Sequence, residues 1–266
     1  GYVYVDKTAM VYSLAHGSTV YFLGRPRRFG KSLLISTFEN YFLGKKELFK
    51  GLAIEKLETE WKTYPVFPID FGTGSYANED ALNQIFEFYL SGWERKYQIE
   101  REPGVTDYNL RFKKVLEEAH RQTGLRAVVL VDEYDKPLLD VMDTGYMVEH
   151  LGEQITLEEK NRNMLRAFYS TFKGADKHLQ FVFLTGVTKF SQVSVFSDFN
   201  QPNDISMSPK YDTICGITDE ELEQTFSQQI EELAAVYDYT GEKMRAVLKK
   251  RFDGYHFSKR MKGVYN

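Results

Sequence analysis

The sequence predicts an α/β fold built on a mostly parallel sheet, and three observations carry that prediction. Short apolar runs alternate with longer helical patterns along the chain. The strongest runs are rich in Val, Ile, Leu or Phe with little internal polarity, as strands covered on both faces must be. The helical stretches between them open and close with recognisable caps.

The strand candidates in order are Thr19–Leu23, Val66–Phe71, Ala127–Val131 and Gln180–Leu184, with Thr213–Ile217 as a weaker edge candidate. The helix over Lys31–Phe42 places Leu34, Phe38 and Phe42 at intervals of four, one apolar face. A second helix over Asp107–Gln122 stops at Gly124, a C-terminal cap residue. Thr156-Leu-Glu-Glu159 opens a third as a capping box, with Met164, Leu165, Phe168 and Phe172 inward. Thr218-Asp-Glu-Glu221 repeats that device ahead of Leu222, Phe226, Ile230 and Leu233. The expected division is a core over 1–215 and a small, mainly helical appendage over 216–266. No internal repeat, low-complexity tract or linker interrupts this plan.

Bulk composition narrows the function classes. With 42% hydrophobic residues, 20 Phe and 18 Tyr, the chain has ample material for a buried core, so intrinsic disorder is not the default reading. A net charge of -4 gives no overall nucleic-acid footprint, so any such contact rests on a local patch. The tail runs Lys249-Lys-Arg251 and Lys259-Arg-Met-Lys262 form one, read first as a solvated face. A single cysteine, Cys215, excludes an internal disulfide and a cysteine-based zinc site and fits a reducing, cytoplasmic setting. No apolar run reaches a membrane span, and the first residues lack signal-peptide character. A chain opening at Gly1 and stopping at Asn266 reads as a piece of a longer protein.

The most informative stretch is Tyr21-Phe-Leu-Gly-Arg-Pro-Arg-Arg-Phe-Gly-Lys-Ser-Leu-Leu34. An apolar strand enters a turn ending Gly30-Lys31-Ser32, and an amphipathic helix follows at once, the context of a phosphate-binding P-loop. Backbone amides of Arg27, Arg28, Phe29, Gly30 and Leu33 and the helix N-terminus would cradle phosphate oxygens. Lys31 would set its charge at the β- and γ-phosphates, and the Ser32 hydroxyl would ligate Mg²⁺. One departure stands out: the usual first glycine falls at position 25, where this chain has Arg25, with Gly24 one residue early. Arg25, Arg27 and Arg28 suit anion contacts, and serve equally as solvated charge or salt-bridge partners.

Arg126-Ala-Val-Val-Leu-Val-Asp-Glu-Tyr-Asp135 is an unbroken apolar strand finishing in two adjacent acids. Ligands of open α/β sheets lie at that end, and burying unpaired carboxylates for packing alone is costly. Asp132 therefore reads as a Mg²⁺ ligand and Glu133 as the general base for an attacking water. Asp135 and Lys136 suit an ion pair or a catalytic role. GTPases show Asp-x-x-Gly here, and no Asn-Lys-x-Asp guanine-reading motif occurs, so ATP is favoured over GTP. Past the Gln180–Leu184 strand, Thr185, Thr188 and Lys189 are candidate γ-phosphate sensors or ordinary strand caps. In Phe252-Asp-Gly-Tyr-His-Phe257, His256 either reaches the nucleotide from a lid or is structural.

Five segments together resemble the bacterial AAA-ATPase-like domain family. They are Tyr4-Val-Asp-Lys-Thr8, Arg25-Pro-Arg-Arg-Phe-Gly-Lys-Ser32, Val131-Asp-Glu-Tyr-Asp135, Leu184-Thr-Gly-Val-Thr-Lys-Phe190 and Phe252-Asp-Gly-Tyr-His-Phe257. The resemblance covers essentially the whole chain, and the missing first glycine of the loop is itself typical of the family. It implies a three-layer P-loop NTPase fold of the additional-strand type, a five-stranded sheet in the order 5-1-4-3-2, and a helical C-terminal lid. Members often continue into a C-terminal PD-(D/E)XK nuclease-like domain, whose Asp…Glu-x-Lys pattern no strand here carries. The leading expectation is ATP hydrolysis, with ATP, ADP and Mg²⁺ as ligands and a homo-oligomer as one arrangement that would supply an arginine finger. The rivals are a nucleotide-gated switch with slow turnover and a small-molecule kinase.

Overall fold

A computed structural model describes residues 3–101, 103–150, 152–188 and 202–266. The helices are α1 (Thr8–Ala15), α2 (Lys31–Phe42), α3 (Ala53–Leu57), α4 (Ala81–Lys96), α5 (Tyr108–Thr123), α6 (Lys136–Leu139), α7 (Leu157–Gly174), α8 (Asp219–Val236) and α9 (Gly241–Phe252). The strands are β1 (Val20–Gly24), β2 (Val66–Asp70), β3 (Ala127–Asp132), β4 (Met147–His150), β5 (Glu153–Thr156), β6 (Leu179–Gly186), β7 (Asn203–Asp204), β8 (Tyr255–His256) and β9 (Gly263–Val264).

Five of these strands make one all-parallel sheet in the order β2-β3-β6-β1-β7. Every residue of β3 is buried, the two-sided covering that its unbroken apolar sequence calls for. Alternation along the strands divides the core. Val129 and Val131 join Phe22, Phe67 and Ile69 under α4, α5 and α7, where Phe86, Phe112 and Phe168 stack. Val128 and Leu130 face the other way, with Phe181 and Phe183, onto Leu34, Phe38 and Phe42 of α2. The result is helices, sheet, helices, the expected three layers.

Counting only members of this sheet, the order from its short edge reads 5-1-4-3-2, but the fifth member is not the one expected. Thr213–Ile217 forms no strand. Turn hydrogen bonds run through it, from Ile214 N to Tyr211 O at 3.2 Å, and Gly216 adopts φ +82, which breaks an extended course. Its apolar residues Ile214 and Cys215 are buried as core filling beneath that turn. Asn203–Asp204 takes the edge instead, through Ile205 N donating to Phe22 O at 2.9 Å.

The cap residues behave as their chemistry requires. Thr156 accepts from Glu159 N at 3.1 Å, and Thr218 and Glu221 form a complete capping box at α8. Gly124 closes α5 at φ +70. Helices α8 and α9 pack on each other through a small cluster of Ile230, Ala234 and Met244, with Leu222 and Phe226 alongside. The chain then returns to the core as the β8–β9 hairpin, and Tyr265 pairs with Ile217.

One feature of the α5 side carries a pH dependence. His120 and His178 meet Nδ1 to Nδ1 at 2.9 Å, and Glu117 lies 3.7 Å from His178 Nε2. Burial holds the His178 pKa below its ordinary value; Glu117 opposes this, while Lys177, His120 and Lys113 add to it. A folded-state pKa below the unfolded one gives stability that is full above the unfolded value, near 6.5, and lost as pH falls below it. The melting temperature is therefore expected to fall between pH 7 and pH 5.5, and His178→Gln to flatten that fall.

Candidate functional site

The C-terminal ends of β1, β3 and β6 meet at one edge of the sheet, and the residues with chemical character gather there. The loop after β1 runs from Arg25 to Gly30 and feeds directly into α2. Gly30 is the N-cap residue at φ +83, and a Cβ added to it would meet no atom within 4 Å. As a glycine, the N-cap residue offers no side chain to the first amides of α2, and a helix N-terminus left so suits an anion.

Lys31, 5% exposed, threads back through the loop and donates to the carbonyls of Arg25 and Pro26, each at 3.0 Å. Burial pushes its pKa below the ordinary lysine value, and the charges of Asp132 and Glu133 pull it back up. Ser32 and Leu33 are exposed on the first turn of α2, and Arg27 and Arg28 are exposed on the loop.

Arg25 does something different from its neighbours. It is 1% exposed and points away from the cradle, donating to Gly24 O at 2.9 Å, Ser206 O at 2.6 Å and Tyr211 O at 3.3 Å. Its guanidinium lies 3.9 Å from the centre of the Phe257 ring, a cation–π contact. Burial lowers its pKa to about 10. The residue in the place of the usual glycine is thus a strut joining the loop to the segment after β7 and to the tail. Phe29 is buried beside it, with Tyr255 and Phe257 packed edge-on at 4.7 and 5.4 Å.

Asp132 ends β3 buried, its Oδ1 accepting from Thr185 Oγ1 at 2.5 Å and from Glu133 N at 3.1 Å. Glu133 then turns into the left-handed region at φ +51, a conformation that costs an L-residue about 1–3 kcal/mol. Flanking bonds hold it there: Tyr134 N to Thr185 O at 2.9 Å and Lys136 N to Glu133 O at 3.0 Å. Gly72 makes room for its carboxylate, since a Cβ there would lie 3.2 Å from Glu133 Oε2. Asp70 stands opposite Asp132 in the β2–β3 register and accepts from Gly72 N at 2.7 Å. Asp70 and Gly72 escaped the reading of the sequence. The available signal was an apolar strand, Val66-Phe-Pro-Ile-Asp70, ending in an acid as β3 does.

Asp135 forms no ion pair with Lys136, which bonds Asp140 at 2.6 Å instead. The Asp135 carboxylate is 1% exposed and receives Val187 N at 3.0 Å, Thr188 N at 2.7 Å and the Thr188 hydroxyl. Thr188 is thereby committed to pinning the exit of β6, while Thr185 touches Asp132. Lys189 lies outside the described residues. His256 is exposed on β8, and strand alternation turns it to the face opposite Tyr255 and Phe257. The structure brings Lys31, Ser32, Asp132 and Glu133 to one edge and leaves His256 on the far face of its hairpin.

Beside the loop lies a cavity of about 250 Å³, lined mainly by apolar groups that include Val5, Leu33, Ile214, Ile217 and Phe226. Lys7 borders it, its Nζ 2.6 Å from both Glu221 oxygens. Cys215 is buried there with its thiol pushed up to about 11, which leaves it a neutral packing group.

Comparison with known proteins follows the same outline. The family model described as AAA-ATPase-like, predicted AAA-ATPase, matches residues 1–196. An uncharacterized protein in the vnfD 5' region of Azotobacter chroococcum mcd 1 is 36% identical over 252 residues, covering 91% of this chain. The match takes in 46% of that relative, so the chain spans about half its length. No helix among the described residues is long and apolar enough to cross a membrane.

Proposed function

Because the chain belongs to the AAA-ATPase-like family, we propose that it binds Mg-ATP at the Lys31 loop and hydrolyses it. The observation that supports this most is the meeting of a buried lysine with Asp132 and Glu133 across one sheet edge, beside an uncapped helix N-terminus. Lys31 exchanges its carbonyl partners for β- and γ-phosphate oxygens. The amides of Arg27 through Leu33 carry the remaining phosphate contacts, with the exposed Arg27 and Arg28 side chains free to approach. The donor set fits the metal as well: Ser32 and Asp132 would hold Mg²⁺, which when bound withdraws charge from the phosphate oxygens. Glu133 orients a water and accepts its proton, and Thr185 fixes the Asp132 carboxylate for its role. The apolar cavity around Leu33 takes the base, so residues of α8 such as Phe226 border the nucleotide as a lid.

The lid connection favours a second reading. Lys7 on the core clasps Glu221 on α8, so the posture of the lid and the contents of the cavity are linked. In that reading ATP and ADP set a switch whose output is a partner or a fused nuclease-like domain, in a cytoplasmic setting. Thr188 is engaged by Asp135 and His256 faces away from the loop, so neither contacts a phosphate.

Lys31→Ala is expected to weaken Mg-ATP binding about 10²-fold, through loss of charge-assisted bonds worth roughly 1.5–3 kcal/mol each. Equilibrium binding of a fluorescent ATP analogue reads this, and unchanged affinity sinks the site assignment. Phosphate release in the absence of any acceptor separates hydrolysis from a kinase reaction.

A further inference from the structure

The turn that leaves β2 lies against Glu133, and it is fixed from behind. Phe71 N donates to Asp132 O at 3.1 Å, so the pairing with β3 continues one residue past the strand. Phe71 is buried, and its carbonyl accepts from the Tyr76 hydroxyl at 3.0 Å and from Gly74 N at 3.3 Å. Asp70 closes the turn from the other side. Its amide donates to the Tyr89 hydroxyl at 2.9 Å, and its Oδ1 accepts from Gly72 N at 2.7 Å.

Gly72 is the residue of this turn that meets the site. A glycine is needed either for its backbone freedom or for the space it leaves. Gly72 does not adopt a positive φ, so an alanine suits its backbone equally well. Space is the remaining reason. A Cβ at Gly72 would lie 2.8 Å from Asp70 Oδ1, 3.2 Å from Glu133 Oε2 and 3.3 Å from Glu133 Cδ. Non-bonded atoms rest about 3.5–4.0 Å apart. The nearest atoms that a methyl group would press on are thus the ends of two carboxylate side chains. One of them is the group assigned above as the general base.

Two things place the Glu133 carboxylate. Its backbone is held at φ +51 by the flanking hydrogen bonds, and its head lies on the surface of the β2 turn. Among the described residues no hydrogen bond reaches that carboxylate. The height of the turn beneath it therefore sets where it stands.

We propose that Gly72 is a positioning residue for hydrolysis: its missing side chain lets the Glu133 carboxylate settle where it meets the attacking water. This rests on the reading of Glu133 as the general base. Rate depends on such geometry more steeply than folding does. A misplacement of about 1 Å can cost 10²-fold in rate, whereas a carboxylate end swings aside at little cost to the fold.

The test is a cycle of wild type, Gly72→Ala, Glu133→Gln and the double variant. Single-turnover phosphate release, ATP-analogue affinity and thermal melting are measured on each. Gly72→Ala is expected to slow release about tenfold beside an intact Glu133, and by less than about twofold in the Glu133→Gln background. Affinity and melting temperature stay near wild type. A glycine needed only for folding would do the reverse, lowering the melting temperature and leaving the rate of the folded protein alone. A Gly72→Ala rate equal to wild type, or an equal loss in both backgrounds, overturns the proposal while hydrolysis by Glu133 stands. Equal rates in wild type and Glu133→Gln leave no base to position and end both readings, so the two failures are told apart.

Discussion

Replacing Glu133 by Gln is expected to lower the rate of ATP hydrolysis by about 10²–10⁴-fold while leaving nucleotide affinity unchanged. Gln is the same size and keeps a hydrogen-bond acceptor, but it cannot take a proton from water. It also inherits the left-handed backbone at φ +51, so stability should stay within about 0.5 kcal/mol of wild type. The companion change, Glu133→Gly, releases that backbone and should stabilise the protein by about 1 kcal/mol while abolishing hydrolysis. Single-turnover phosphate release with saturating enzyme, read beside thermal melts, measures both effects. If wild type and Glu133→Gln release phosphate at the same slow rate while binding ATP equally, hydrolysis is not the output and the switch reading stands. A stabilised glycine variant would show that the strained turn is maintained for chemistry, since folding alone gains nothing from it.

Arg25→Gly is expected to damage the protein, although it restores the residue that phosphate loops usually carry. The substitution strips donors from Gly24 O, Ser206 O and Tyr211 O in a site that is 1% exposed, and removes the ring contact with Phe257. Stranded buried acceptors cost about 1–3 kcal/mol each. The wild-type arginine is itself imperfectly satisfied, its Nε lacking a partner, so the net loss is set at about 3 kcal/mol. For a chain of this length that corresponds to a fall in melting temperature of about 6–12 °C. Nucleotide affinity should fall too, because the loop that leads into Lys31 loses its side-chain anchor to Ser206 O and Tyr211 O. Arg25→Lys should not rescue it, since an ammonium group cannot reach three carbonyls and cover a ring together. A melting curve for the glycine variant at or above wild type would reverse the assignment of Arg25 as a strut.

The parts legible in the sequence were those whose local chemistry dictates the outcome. Four strands and α2, α7 and α8 stood out because two-sided burial demands apolar runs and because helix ends demand caps. The edge strand was hidden, since Asn203–Asp204 is two polar residues long and carries no periodicity. Thr213–Ile217 misled because core-filling residues in a turn look like a short strand. At the site, the order of residues identified Lys31, Ser32, Asp132 and Glu133 as candidates. It had no means of separating Thr185 from Thr188, because only the end point of β6 decides which one faces Asp132. Nor does residue order reveal that Arg25 turns outward, a matter of what lies behind the loop in space.

That outward turn of Arg25 ties the phosphate loop to chain far beyond it in sequence. The family match ends at residue 196. The partners that steady the phosphate loop stand beyond it, at Ser206, Tyr211, Tyr255 and Phe257. The loop is therefore tuned by a stretch of chain outside the matched region. A substitution at one of these distant positions can therefore change how stiffly the reactive groups are held without touching any of them.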